Sequence, residues 1–270
     1  MPFAIAGRWR LYYEVRGEGP AVVFLHGAGS NTATWWQQWP AFTQHYTCLA
    51  YDNRCFGRSV APLEDFDPEG FVDDLARVMD AAGIERAALV GQSMGGMTAL
   101  RFALRHPDRT SAFVACDSPL AVTHPQLLAD MEHHARTAGA AKLENRALAP
   151  GFGDRHPELA QLYKAINQFN AHIYDPPQGR TWAQCLDAVR TPQFLLPLQA
   201  MSGLACPTLF VVGSLDPIVR PQVVHDIAQH VQGSEVAVFE GAGHSTYFEQ
   251  APAFNERVLR FLAQHLQPTC

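Results

Sequence analysis

The chain has 270 residues, 47% hydrophobic and 17% charged, and its 20 basic and 26 acidic side chains give a formal net charge of −6. That composition suits one large globular domain, or a domain with an insertion, and excludes an intrinsically disordered chain. The mild acidity leaves no broad cationic surface for phosphate backbones, so nucleic acid is not an expected partner. Met1–Arg8 lacks a basic region followed by a long apolar core, and no stretch reaches the roughly 18 apolar residues needed to span a bilayer. Neither a signal peptide nor a membrane partner is expected. Six cysteines, Cys48, Cys55, Cys116, Cys185, Cys206 and Cys270, form no C-x-x-C pair. They read as reduced thiols of a cytoplasmic protein. His133 and His134 are adjacent on an expected helix and point apart, so no metal site is expected there.

Leu11–Val15 reads as a strand ended by the turn Gly17-Glu18-Gly19-Pro20, and Ala21–Leu25 is a continuous apolar run of the kind buried on both faces of a parallel sheet. A helix is expected over Thr34–Tyr46 and a strand over Thr47–Tyr51. Phe71, Leu75, Val78, Met79 and Ala82 recur at helical spacing, and Gly83 suits a C-terminal cap. Ala87–Val90 is a short buried strand, Met94–Arg105 a helix stopped by His106-Pro107, and Ser111–Ala115 another strand. Strand patterning then vanishes from about Pro119 to Ala205. Gln126–Leu148, Glu158–Ile173 and Thr181–Val189 read as helices, with a break at Asp175-Pro176-Pro177. Alternation resumes with a strand at Pro207–Val212, a helix near Gln222–Val231, a strand at Glu235–Phe239 and a helix around Ala253–His265. The pattern predicts a mostly parallel sheet flanked by helices, with residues 1–118 and 206–270 as core and 119–205 as an inserted helical cap.

Gly91-Gln92-Ser93-Met94-Gly95 fits G-x-S-x-G, preceded by an apolar strand and followed by a helix. A sharp strand-to-helix turn of this kind holds a serine in a strained conformation and projects its hydroxyl outward. A serine hydroxyl needs an imidazole to take its proton as it attacks. His244, in a glycine-rich turn after a strand, suits that role; most other histidines lie in expected helices or beside prolines. His26 is a rival, but its position directly after a buried strand suits a loop-bracing bond better. The base in turn needs a carboxylate to fix its tautomer. Asp216 follows a strand at the sheet's carboxyl edge, where ligands of parallel sheets gather; Asp117, which also ends a strand, competes with it. The backbone N–H groups of Ala28 and Met94 are the expected donors to a developing oxyanion.

Four segments carry a resemblance. Besides the serine motif, His26-Gly27-Ala28-Gly29, Asp52-Asn53-Arg54-Cys55-Phe56-Gly57-Arg58-Ser59, Gly213-Ser214-Leu215-Asp216-Pro217 and Gly241-Ala242-Gly243-His244 stand in chain order. In these features the chain resembles the α/β-hydrolase fold family, over nearly its whole length. Cys55 departs from the pattern, since that family usually has glycine there. The resemblance implies a serine hydrolase with Ser93 as nucleophile, His244 as base and Asp216 as acid, acting on a small-to-medium, largely apolar carboxylic ester or lactone. It implies no cofactor and no metal, and a small-molecule substrate as partner to a monomer or homodimer. Relatives that hydrolyse carbon–carbon bonds or thioesters, cofactor-independent haloperoxidases, and slow-turnover ligand receptors share these motifs. Phe152, Tyr163, Phe169, Tyr174, Trp182 and Phe194 are candidate pocket walls from the cap, although most suit simple packing. Trp35, Trp36 and Trp39 cannot all face one way on a helix.

Overall fold

The computed structural model describes residues 2–137, 147–170 and 179–266. The Asp175-Pro176-Pro177 break, Tyr174, Cys270 and the middle of the helix expected over Gln126–Leu148 lie outside the described residues. Eight strands form one sheet in the order β1-β2-β4-β3-β5-β6-β7-β8. They are β1 (Phe3–Ala6), β2 (Trp9–Arg16), β3 (Ala21–Leu25), β4 (Thr47–Tyr51), β5 (Ala87–Gln92), β6 (Thr110–Cys116), β7 (Thr208–Gly213) and β8 (Glu235–Phe239). β1 pairs with β2 and β2 with β4 antiparallel; every other pairing is parallel.

Apolar side chains leave both faces of the central strands, which is why these strands read as unbroken apolar runs. Val23 and Leu25 of β3 join the core on one face, and Val22 and Phe24 the core on the other, following the two-residue strand period. The first core is covered by α2 (Gly70–Ala81), through Phe71, Leu75, Val78 and Met79, and by α3 (Met94–Arg105), through Met97 and Leu100. The second is closed by α1 (Trp39–Phe42) and by the last helix, α10 (Ala251–His265), whose Phe254, Val258, Phe261 and Leu262 share one face. Gly83 adopts φ +71° after α2, and the Ile84 N–H reaches back to Met79 O at 2.9 Å, satisfying an end carbonyl.

Two elements differ from the sequence expectation. β1 is an additional strand, folded back on β2 through Gly7 at φ +61°. The helix expected over Thr34–Tyr46 is a 3-10 turn, Thr32–Trp35, followed by the short α1. Asn31 caps the first piece by accepting from Ala33 N at 3.0 Å, and Pro40, which has no N–H, is tolerated only in the first turn of the second. The break sends the tryptophans different ways: Trp35 is fully buried against Phe24 and Tyr247, whereas Trp36 is 42% exposed.

Between β6 and β7 the described residues hold helices and no strand: α4 (Pro125–Thr137), α5 (Phe152–Arg155), α6 (Pro157–Gln168) and α7 (Trp182–Ala188). Thr181 and Gln184 form a capping box at the start of α7. Trp182 packs edge-on to Phe56 and Phe66; Phe152, Tyr163 and Phe194 are buried, and Phe169 is exposed. Polar ties fix this helical segment to the loop after β3. Asn31 Nδ2 donates to Ile166 O at 2.8 Å, and Asn170 Nδ2 to Gly29 O at 2.9 Å. The helices α8 (Pro221–Ala228) and α9 (Thr246–Glu249) complete the chain. Among the described residues no helix is long and apolar enough to cross a membrane.

Candidate active site

The chain order reverses between β3 and β5, the adjacent strands from which successive connections run to opposite sides of the sheet. A crevice outside the carboxyl ends of strands forms at such a reversal. Gly27 follows β3 there, and Ser93 follows β5. Ser93 sits at φ 49°, ψ −115°, outside the regions open to ordinary residues. Glycines make the turn possible: a Cβ on Gly91 would lie 2.6 Å from the Gly95 carbonyl carbon, and one on Gly95 would collide with the Leu25 carbonyl. Ser93 N donates to Cys116 O at 3.0 Å, and Ser118 Oγ donates to Ser93 O at 2.6 Å, so both backbone ends of the strained residue are held by the β6 terminus.

His244 lies in the loop after β8. Its Nε2 is 2.9 Å from Ser93 Oγ and its Nδ1 is 2.8 Å from Asp216 Oδ2. An ionised carboxylate can only accept, so Nδ1 carries the proton and Nε2 faces the hydroxyl as an acceptor. Burial alone would lower the His244 pKa. The Asp216 charge and hydrogen bond, with the more distant Asp117 and Glu249, outweigh that and hold it above the usual imidazole value. Asp216 Oδ1 accepts from Ile218 N at 2.7 Å and Val219 N at 2.9 Å, which fixes the plane of the carboxylate.

Asp117, the competing acid, points elsewhere. Its Oδ2 accepts from Thr246 N and Thr246 Oγ1, both at 2.8 Å, and its Oδ1 from Gly213 N at 3.1 Å. It thereby ties the end of β7 to the histidine loop. Burial, helped by the nearby Asp216 charge, pushes its pKa up to about 6. His26 is fully buried, bonded through Nδ1 to Gly27 O at 2.8 Å and accepting from Asn53 N at Nε2; burial lowers its pKa and keeps it neutral. It braces two loops and makes no bond to Ser93.

The Met94 N–H heads α3, and the loop bearing Ala28 abuts the serine, since a Cβ on Gly27 would stand 3.2 Å from Ser93 Cβ. Among the described residues neither the Ala28 nor the Met94 N–H has a backbone acceptor. Four further residues support the site without having been apparent in the sequence. Gln92 Nε2 donates to His244 O at 2.9 Å; Ser118 and Thr246 act as described; and Glu249 accepts from Gly243 N at 3.0 Å. Gln92 lies inside the serine motif, and that adjacency was the only sequence signal. Among the described residues no group of three or more His, Cys, Asp or Glu side chains is arranged to hold a metal.

Residues 20–251 match the family described as alpha/beta hydrolase fold. The chain belongs to that family. It is 26% identical to 3-oxoadipate enol-lactonase 2 of Acinetobacter baylyi, over 90% of this chain and 88% of the relative. It is also 26% identical to the pimeloyl-[acyl-carrier protein] methyl ester esterase of Aliivibrio fischeri, over 94% of this chain and 98% of that one. Among solved structures it superimposes on the enol-lactonase from Burkholderia xenovorans LB400 with TM-score 0.79 and 25% identity, over 97% of this chain and 99% of that chain. This α/β-hydrolase chain thus carries Ser93, His244 and Asp216 in one hydrogen-bonded line on the family's scaffold.

Proposed function

We propose that the protein hydrolyses carboxylic esters or lactones through an acyl-enzyme, with Ser93, His244 and Asp216 as a catalytic triad. The observation that carries this reading is the unbroken line from Ser93 Oγ through the imidazole to Asp216, beside two backbone N–H groups that lack backbone acceptors among the described residues. Ser93 Oγ attacks the acyl carbon while His244 Nε2 takes its proton, and the Asp216 carboxylate stabilises the resulting imidazolium. The Ala28 and Met94 N–H groups meet the charge on the tetrahedral oxygen. Collapse expels the alcohol, which takes the proton from Nε2, and a water deprotonated by the same nitrogen then releases the acid.

The names of two relatives, an enol-lactonase and a methyl ester esterase, support ester and lactone substrates, while the names of two others, hydrolases of 2-hydroxy-6-oxo dienoic acids, keep a carbon–carbon bond as the second reading. Within that class we infer a small-to-medium, largely apolar substrate in a cytoplasmic protein. The test is turnover of nitrophenyl butyrate, a γ-lactone, an acyl thioester and a vinylogous diketone side by side, with Ser93→Ala in parallel. Ester or lactone should lead. Ser93→Ala should lose several orders of magnitude in kcat, and undiminished turnover refutes the triad. Preference for the diketone would reassign the bond cleaved; a protein that takes a fluorophosphonate label at Ser93 yet turns over nothing would fit a ligand receptor.

A further inference from the structure

The loop that carries His244 is joined to the helical segment between β6 and β7 by backbone, and one carboxylate sits at the joint. Glu249 ends α9, five residues after His244, and its side chain folds back along the loop. Oε1 accepts from Gly243 N at 3.0 Å, and Oε2 from Ala149 N at 2.8 Å. The His244 N–H donates to Ala147 O at 2.7 Å. Gly243 has no room for a side chain, because a Cβ there would lie 2.5 Å from Ala149 N and 2.8 Å from Ala147 O. Leu148 and Ala149 are buried in the same core as Tyr247 and Phe248, and Tyr163 Oη meets Ser245 Oγ at 3.2 Å. Residues 147–149 are thus laid directly against the loop.

We propose that Glu249 is a positioning residue, a carboxylate clip that sets the register between residues 147–149 and the His244 loop and lets go when it is protonated. This rests on the hydrolase reading above for the role of His244. The two oxygens accept from N–H groups of different segments, Oε1 from Gly243 and Oε2 from Ala149, so a proton on either oxygen weakens one arm of the clip. Burial pushes the Glu249 pKa up to about 7, against the lowering effect of the Ala149 and Gly243 N–H bonds, and the nearby Asp117 charge raises it further. Among the described residues, the titratable groups that face it are Asp117 from the end of β6 and His244 from its own loop; residues 147–149 supply none. The Glu249 charge, in turn, is one of the influences that raise the His244 pKa. The Glu249 charge therefore acts on the base as well as on the clip, and both groups must be deprotonated for turnover.

The sign of the stability effect separates positioning from simple structural support. A carboxyl whose pKa is raised by folding favours the native state most when neutral; its contribution is lost as the pH rises through the folded value. Glu249→Gln removes that charge, a gain at pH 8, but turns its NH2 toward one of the two backbone donors, a loss; the two effects oppose, so Tm at pH 8 should change little. It should still cut kcat by about tenfold. The acid limb of kcat/KM should depend on two protons in the wild type and on one in Glu249→Gln, with its midpoint moved to lower pH. Superimposable limbs in a folded variant overturn the proposal. Amide exchange on Ser93→Ala, which reports the clip without turnover, gives an independent measure. Protection of the Ala149 and Gly243 amides should fall below about pH 7, and protection that is flat from acid to alkaline pH also overturns the clip, whether or not Glu249→Gln folds. Failure of the hydrolase reading is recognised separately, as wild-type inactivity toward every ester or insensitivity to Ser93→Ala.

Discussion

Asp216→Asn removes one charge and almost no volume, and the structure dictates how the new amide must sit. Oδ1 of Asp216 receives two backbone donors, from Ile218 and Val219. An asparagine can satisfy both only by turning its carbonyl oxygen toward them. Its NH2 then faces Nδ1 of His244, where the carboxylate accepted a proton at 2.8 Å. Two donors cannot share that gap, so the imidazole proton moves to Nε2 and the Ser93 hydroxyl loses its acceptor. In serine proteases the same tautomer reversal costs about 10⁴-fold in kcat, equivalent to roughly 5 kcal/mol at 1.36 kcal/mol per decade. Because the scaffold is untouched, KM should change little. The assay is steady-state hydrolysis of nitrophenyl butyrate from pH 6 to 10, with Asp117→Asn alongside. A loss below tenfold in Asp216→Asn, coupled with abolition in Asp117→Asn, would transfer the acid role to Asp117 and refute the hydrogen-bond argument.

The pH profile and the glycine framework supply two more tests. Since His244 must be neutral to accept a proton and its pKa is raised, the acid limb of kcat/KM should have its midpoint above 6.5. By linkage, its contribution to stability is complete below the unfolded value and fades as pH rises through the folded one, so the advantage of wild type over His244→Asn in urea denaturation should shrink toward pH 9; a constant gap contradicts the assignment. Gly95→Ala and Gly83→Ala are the same substitution with different costs. The first collides with the Leu25 carbonyl and should lose at least about 3 kcal/mol or fail to fold. The second meets open space and only bears φ +71°, for about 1 kcal/mol; equal losses would mean that the close strand–helix approach does not matter.

Much of this molecule was legible in the sequence because its chemistry is local to strand ends. Ala21–Leu25, Thr47–Tyr51 and Glu235–Phe239 are strands at the expected residues, and Met94–Arg105 is a helix at the expected residues. Their boundaries are set by apolar runs and by Gly or Pro, which act over a few residues. Ser93, Asp216 and His244 each follow such a strand, so placing the strands places the side chains. The stretch Thr34–Tyr46 defeated the periodicity because Trp35 and Trp39 stand four residues apart, as on one helix face, while Asn31 caps a 3-10 turn that ends at Trp35 and Pro40 opens a separate short helix. Cys55 stands where the family usually has glycine, and it adopts φ +73°, in the left-handed region. Nothing in the sequence reveals Glu249 or Asn170, because their partners Ala149, Gly57 and Gly29 are set by tertiary contact across 100, 113 and 141 residues.

The strand order also bears on how the protein is made. β1 to β6 lie within residues 3–116 and pair among themselves, whereas β7 joins β6 only after some ninety intervening residues have been accommodated. Closing so long a loop is entropically slow, and domains emerge from the ribosome amino end first. The serine belongs to the half that can assemble early; the aspartate and histidine arrive with the half that docks late. On the proposed mechanism, a chain in which β7 and β8 had yet to dock would present an inert hydroxyl, and reactivity would appear only with the final two strands in place.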